Sequence, residues 1–251
     1  MNKTYPNVAA VVLAAGKGTR LKNKPAKVNK VAMPLNGKPM IEYTVDLLSR
    51  IGFGQIVLVV GYARDSIKKV LGEKVSYALQ SKQLGTGHAA ECGLKALNPN
   101  IEYVVVLHGD DSAFYPPKVL QNLIAKCVTN DYTMTFLTAE KKNPFGIGRI
   151  IRDNGGKPQE IVEEKNATDE QRLIKEVNLG MYCFKRSFIE KCVKEIGFNS
   201  VANERYLTDI VSIAYRHGYP MATVSIDREE YWQGVNTDEQ WAEANQRMSE
   251  R

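Results

Sequence analysis

The stretch LAAGKGTRLKNKPAKV, residues 13–28, follows an apolar run and carries two glycines, Gly16 and Gly18, two positions apart. It holds five cations, Lys17, Arg20, Lys22, Lys24 and Lys27, and no acid. A glycine turn at a strand end can bring its backbone N–H groups close to phosphate oxygens, and fixed charges beside it suit a small polyanion. Neither familiar phosphate fingerprint applies. Leu21 takes the place of the third glycine in GxGxxG, and no GxxxxGK[ST] spacing exists. The turn alone leaves two readings open: an anion cradle, or a strand-to-helix turn with solvated lysines.

Charge placement narrows the partner. Residues 1–38 hold eight basic residues and no acid, and without those eight the 34 basic residues no longer outnumber the 28 acidic ones. The net charge of +6 is therefore local, so a broad nucleic-acid surface is not expected. The longest apolar run, 8–15, is far too short to span a membrane. Lys3 ahead of that run gives it the look of a short leader, but turn chemistry follows at once. Cys92, Cys127, Cys183 and Cys192 show neither metal-ligand nor disulfide-framework spacing, so reduced thiols and a cytoplasmic protein are expected.

The elements that must position the loop follow from periodicity. Strands are expected near 8–14, 55–60, 74–79 and 102–108, with helices near 39–51, 63–71, 86–97 and 117–129 between or after them. Such alternation predicts βαβ units and a largely parallel sheet, and the near-continuously apolar strands predict helices on both faces. After Thr138 the rhythm changes. Asn143-Pro144 and Asn154-Gly155-Gly156 mark a hairpin-rich insertion laid against the sheet. A strand near 176–184, helices near 187–196 and 207–217, and a strand near 221–226 follow. A last helix starts after Asn236, where Thr237 and Gln240 fit a capping box.

The opening stretch, with GKPMIEYTVD after it, resembles the start of the sugar-1-phosphate nucleotidyltransferases. LQSKQLGTGHA (79–89), Gly109-Asp110, NPFGIGRIIRDNGG (143–156) and IVEEKNATDEQ (161–171) narrow the likeness. Together with EVNLGMY (176–182), ERYLTDI (204–210) and GVN (234–236), they resemble the uridyltransferase domain of the bacterial N-acetylglucosamine-1-phosphate uridyltransferases. The resemblance is in register over nearly the whole chain. It implies a single Rossmann-like α/β domain over 1–251, with a sugar-binding insertion and strands at about 140–206 and a C-terminal helix at 237–251.

The resemblance also implies roles. Leu13, Ala14, Ala15 and Gly16 would hold base and ribose, and the loop with Gly18 and Thr19 the triphosphate. Arg20, a planar fork, and Lys27, a point charge, would clamp the phosphates and offset charge on the leaving pyrophosphate. Lys22 and Lys24 match nothing and read as solvated. Gln80 would read the uracil edge, since an amide offers both donor and acceptor, and Gly85, Thr86 and Gly87 would close over the base. Thr86 also reads as the N-cap of the helix at 86–97. Asp110 and Asn236 would be ligands of Mg²⁺, which takes few protein oxygens beside water and phosphates. Gly148, Glu163, Asn178, Tyr206 and Thr208 would line the sugar pocket, and Arg149 and Lys165 could also touch phosphate.

Three departures stand out. Ala26 precedes Lys27 where proline is usual, Asp111 follows the metal aspartate where an apolar residue is common, and Leu179 replaces a small residue beside Asn178. Leu179 is expected to crowd the acetamido site and weaken preference for N-acetylglucosamine 1-phosphate over glucose 1-phosphate. The bifunctional bacterial enzyme continues into a β-helix of hexapeptide repeats bearing an acetyltransferase. No such repeat occurs here, so neither that activity nor its trimer is expected.

The expected function is Mg²⁺-dependent uridylyl transfer from UTP to N-acetylglucosamine 1-phosphate by a monomer or small homo-oligomer, supplying nucleotide sugar for the cell envelope. Two alternatives remain. One is the same chemistry on another sugar phosphate or nucleotide, and the other a non-catalytic sugar-nucleotide sensor.

Overall fold

A computed structural model describes residues 4–199 and 203–250. Lys3 and the final residue of the expected last helix, Arg251, lie outside the described residues. The first half alternates as expected. β1 (Tyr5–Ala14) leads through a small hairpin, β2 (Pro34–Leu35) and β3 (Lys38–Pro39), into α1 (Met40–Ile51) and β4 (Phe53–Val60). Then come α2 (Arg64–Leu71), β5 (Ser76–Leu79), α3 (Thr86–Leu94), β6 (Tyr103–His108) and α4 (Pro117–Thr129). The second half adds β7 (Met134–Glu140), β8 (Arg149–Arg152), β9 (Pro158–Val162), α5 (Asp169–Arg172) and β10 (Glu176–Lys185). It ends with α6 (Arg186–Cys192), α7 (Asp209–Arg216), β11 (Met221–Ser225) and α8 (Asp238–Ser249).

The main sheet runs β11-β7-β10-β6-β1-β4-β5, with β8 and β9 attached beyond β10 through Val177↔Arg149. β1 is parallel to β4 and β6, whereas β10 runs antiparallel to both β6 and β7. A reversed strand in the middle lets the chain bring the β8–β9 hairpin to the same edge as the end of β1. Side chains on β1 alternate between two apolar layers, as a strand's period of two requires. Ala10, Val12 and Ala14 join Ile41, Val45 and Leu48 of α1 and Leu120 and Leu123 of α4. Ala9, Val11 and Leu13 join Ala89, Ala90 and Leu94 of α3, with Phe188 of α6 and Ile210 of α7. Truncating one such leucine to alanine in a filled layer costs about 2–5 kcal/mol.

A third, smaller cluster sits beside the site. Leu21, Met33, Leu35, Met40, Phe114, Val235 and Ala244 pack together, with Trp241 against them. It fastens the basic loop, the β2–β3 hairpin and α8 to one another, and Val235 places Asn236.

Some expected boundaries move. The helix expected at 86–97 ends at Leu94, and that at 187–196 divides into α6 and a 3₁₀ turn over Val193–Glu195. Thr86 is not an N-cap. Gly85 holds that position, and the Thr86 hydroxyl instead accepts the Leu207 N–H at 2.9 Å. At α8, Thr237 accepts the Gln240 N–H at 3.3 Å, while the Gln240 side chain accepts from Asn236 N–H rather than from the cap itself. β7 has no expected counterpart, because buried Thr135 and Thr138 interrupt its apolar run.

Candidate active site

The carboxyl ends of β1 and β6, the bend in β10 and the loops around them enclose a cleft of about 810 Å³. Open α/β sheets bind ligands at this edge. On one side β1 gives way to the basic loop. Asn29, 1% exposed, fastens the loop's return, donating to the carbonyls of Ala14 at 3.0 Å and Tyr62 at 2.8 Å. Its side-chain oxygen caps the 3₁₀ turn Lys30–Ala32 by accepting Val31 N–H at 3.1 Å. Asp238 of α8 accepts the backbone N–H groups of Lys22 and Asn23, each at 3.2 Å.

The cations of this loop are not alike. Arg20 donates to Asn236 Oδ1 at 3.0 Å and lines the cleft. Lys27 is exposed, has a left-handed backbone (φ 61°) and lies outside the set of cleft-lining residues. Lys30 reaches in instead, pairing with Asp110 and donating to Asn236 Oδ1 at 2.9 Å. The expectation that Lys22 and Lys24 are both solvated holds for Lys22 alone. Lys24 is half-buried, donates to the Val28 carbonyl at 2.8 Å and sits over the Tyr62 ring.

Leu13, Ala14, Ala15, Gly16, Gly18 and Thr19 line the same side, and Gln80, Gly85 and Thr86 close it. Gln80 Nε2 lies 3.0 Å from the Gly85 carbonyl and 3.1 Å from His88 Nδ1. A carbonyl can only accept, so the nitrogen must face Gly85, and His88 Nδ1 must then accept too. His88 is left with its proton on Nε2, 3.7 Å from Cys92 Sγ. With both amide hydrogens engaged, Gln80 has only its acceptor oxygen to offer a ligand. Gly85 adopts φ +96°, and a Cβ there would lie 2.4 Å from the Arg205 carbonyl oxygen, so a side chain is excluded twice over.

Burial dominates the centre. Burial alone would raise the Asp110 carboxyl, but the Lys30 charge, His108 and the Lys30 hydrogen bond together hold it below the usual carboxylate range. Asp111, 7% exposed, is pushed well above that range by burial and then by the charge of Asp110. It accepts from Trp232 Nε1 at 3.4 Å and from the Ser112 hydroxyl at 3.2 Å. Burial lowers the His108 imidazole.

The far wall is built from β8, β9, β10 and the start of α7. The Gly148 carbonyl accepts Asn178 N–H at 2.9 Å. Asn178 is held at both ends, its amide donating to Tyr182 Oη at 2.7 Å and its oxygen accepting Gly180 N–H at 3.2 Å. Thr208 donates to Glu163 Oε1 at 3.1 Å. Tyr206 Oη is buried with no hydrogen-bond partner among the described residues, and Lys165 Nζ lies over its ring. Gly148, Glu163, Asn178, Tyr206 and Thr208 thus share one wall.

Two expectations for this wall change. Arg149 is 2% exposed and bonds Glu164 Oε2 at 2.7 Å and the Ile147 carbonyl, so it supports the wall from behind rather than facing a phosphate. Leu179 belongs to the cleft lining, but it is 1% exposed and packs with Val177, Met181 and Cys183 in the layer under α1 and α4. Successive strand side chains point to opposite faces, so Leu179 turns away from the face that Asn178 presents.

Sequence reasoning missed Asn29, Lys30, His88, His108 and Trp232. Lys30 and Asn29 were hidden in a charge-rich run, and His108 within an apolar strand. Trp232 is brought in by tertiary packing alone.

A protein-family model described as nucleotidyl transferase matches residues 9–251. The bifunctional protein GlmU of Halalkalibacterium halodurans is 40% identical over 245 residues, covering 98% of this chain and 53% of that protein. Its namesakes in Geobacter metallireducens and Bacillus subtilis are 39% and 35% identical, over 98% and 96% of this chain and 51% and 52% of theirs. The chain spans about half the length of the curated relatives it matches.

Proposed function

The chain belongs to the nucleotidyl transferase family, and on that premise we propose that it transfers a uridylyl group from UTP to N-acetylglucosamine 1-phosphate, releasing pyrophosphate. The observation that carries this reading is convergence. Arg20, Lys30, Asp110 and Asn236 meet on one side of a cleft whose far wall presents hydrogen-bonding groups from Gly148, Glu163, Asn178, Tyr206 and Thr208. A triphosphate suits the first and a sugar the second.

The base reading follows from Gln80. An acceptor oxygen pairs with the N3–H of uracil, whereas the N3 of cytosine would meet it lone pair to lone pair. On the sugar side, Asn178 is fixed by Tyr182 and Gly180, and the buried Leu179 beside it belongs to the apolar layer under α1 and α4. The N-acetyl sugar is therefore the preferred substrate.

The two oxygens of Asp110 and Asn236 already share one cation, the Lys30 ammonium, so the pair fits a metal ion in chemistry and convergence. Mg²⁺ bound there would leave most of its shell to water and phosphate and would supply charge stabilisation at the phosphates. The nucleophile, a sugar-phosphate oxygen, is already an anion, so no side chain need remove a proton. It attacks the α-phosphorus of UTP in line as the bond to the pyrophosphate oxygen breaks. Arg20 offsets the charge that grows on the departing pyrophosphate, and the loop's backbone holds the chain of phosphates still.

Pyrophosphate release measured across the four ribonucleoside triphosphates and a panel of sugar 1-phosphates tests the proposal. UTP with N-acetylglucosamine 1-phosphate should give the highest kcat/KM. A different best pair would move the substrate assignment, and silence across the grid would remove the activity.

A further inference from the structure

Lys30 occupies an unexpected place. Its ammonium pairs with the Asp110 carboxylate and donates to Asn236 Oδ1 at 2.9 Å, the two oxygens read above as metal ligands. Arg20 donates to the same Asn236 oxygen at 3.0 Å, so both lone pairs of that oxygen are taken. The arrangement is built rather than incidental. The Lys30 and Asp110 side chains are only 14% and 13% exposed. The lysine stem lies along Gly18, where a Cβ would come within 3.0 Å of Lys30 Cβ. Its backbone opens a 3₁₀ turn capped by buried Asn29.

We propose that Lys30 is a tethered competitor of the divalent cation, holding the seat between Asp110 and Asn236 until a metal arrives with the nucleotide. The inference rests on the reading of Asp110 and Asn236 as metal ligands. A carboxylate this deep needs a positive partner, and in the absence of metal Lys30 supplies it. Mg²⁺ must come within about 2.1 Å of its ligand oxygens, so metal and ammonium cannot both sit between the same two groups. A free divalent ion therefore has to expel a charge-paired lysine, whereas a nucleotide-bound ion brings phosphates onto which the ammonium can turn. The predicted order is nucleotide and metal together, with weak metal binding to the empty enzyme.

Mn²⁺, titrated alone into nucleotide-free protein and followed by electron paramagnetic resonance, tests this. Lys30→Met should bind Mn²⁺ at least about tenfold more tightly than wild type, the floor expected when a unit charge about 4 Å from a divalent ion is removed even with screening as strong as bulk water. Lys30→Gln keeps a donor for Asp110 and should show the same tightening, should Lys30→Met fail to fold. Lys30→Arg keeps the charge and should bind no more tightly than wild type. Unchanged or weaker Mn²⁺ binding in the folded neutral variants would overturn the proposal. Adding Asp110→Asn to Lys30→Gln separates the two readings. If the double variant binds Mn²⁺ as well as Lys30→Gln, the metal reading of Asp110 fails, whatever Lys30 does.

Discussion

The two ends of the cleft are assembled by different means. At the end proposed to take the phosphates, polar and charged groups satisfy one another: Lys30 with Asp110, and Arg20 and Lys30 with Asn236. At the end proposed to take the sugar, Thr208 with Glu163 and Tyr182 with Asn178 are fixed by one another, and buried Arg149 braces the wall through its ion pair with Glu164. On the proposed reading, the first end has to exchange partners when a ligand enters. The second is already arranged and only admits one. Charge that changes during the reaction belongs where groups can re-pair, and recognition of unchanging hydroxyls belongs where they cannot.

That contrast makes graded predictions. The largest effect should come from the phosphate end. Asp110→Ala removes a group read as a metal ligand, and because metal charge stabilisation is worth several kcal/mol, kcat should fall by about 10³ or more. Steady-state rates at saturating Mg²⁺, with circular dichroism as a check on folding, decide it. A loss under about tenfold would take Asp110 out of the chemistry.

Arg20→Ala should follow, losing roughly 10²–10³ in kcat with a smaller change in KM, since the charge it meets grows only as the bond breaks. Lys22, an exposed neighbour on the same loop, is the control, and its alanine variant should run within about twofold of wild type. Equal losses in the two variants would mean the loop acts through its summed charge, not through Arg20.

The sugar end should act on selection more than on rate. Wild type should prefer N-acetylglucosamine 1-phosphate over glucose 1-phosphate by about 10³ or more in kcat/KM, as a site with a fixed hydrogen-bonding partner does. In Asn178→Ala most of that ratio should vanish. A wild-type ratio near 10 would mean that space-filling alone separates the sugars.

A smaller change is expected at the base. His88→Leu leaves Gln80 held by the Gly85 carbonyl alone, so the kcat/KM ratio of UTP to CTP should drop by roughly tenfold, about one hydrogen bond. An unchanged ratio would show that Gly85 suffices to orient the amide.

Much of the fold was legible because it is written in short-range patterns. The alternating apolar runs of β1, β4 and β6 and the helices between them follow from periodicity, and only their ends moved. β7 was lost because Thr135 and Thr138 look polar in sequence yet lie fully buried. At the site, the glycine loop, Gln80 and the residues proposed for the sugar wall are those that the motifs single out, and they lie around one cleft. Lys27 and Lys30 show the limit. Both are lysines in the same basic run, and sequence gives no means to tell which one turns inward. The choice is made by Asn29, whose side chain draws the returning loop onto the Ala14 and Tyr62 carbonyls and sets the next residue over the cleft. That contact bridges residues far apart in the chain, so no local pattern announces it. Leu179 misled for the opposite reason: proximity to Asn178 in sequence means opposition across a strand.

The central claim is a single direct transfer in this cleft, with the sugar-phosphate oxygen as the only nucleophile. It is tested most directly by the configuration at the transferred phosphorus. The protein is supplied with one diastereomer of UTP carrying sulfur at the α-phosphate, together with N-acetylglucosamine 1-phosphate and Mg²⁺, and the product is analysed by ³¹P NMR. One in-line displacement predicts a UDP-sugar with inverted configuration at that phosphorus. Retention would require two displacements through an enzyme nucleophile and would contradict the account.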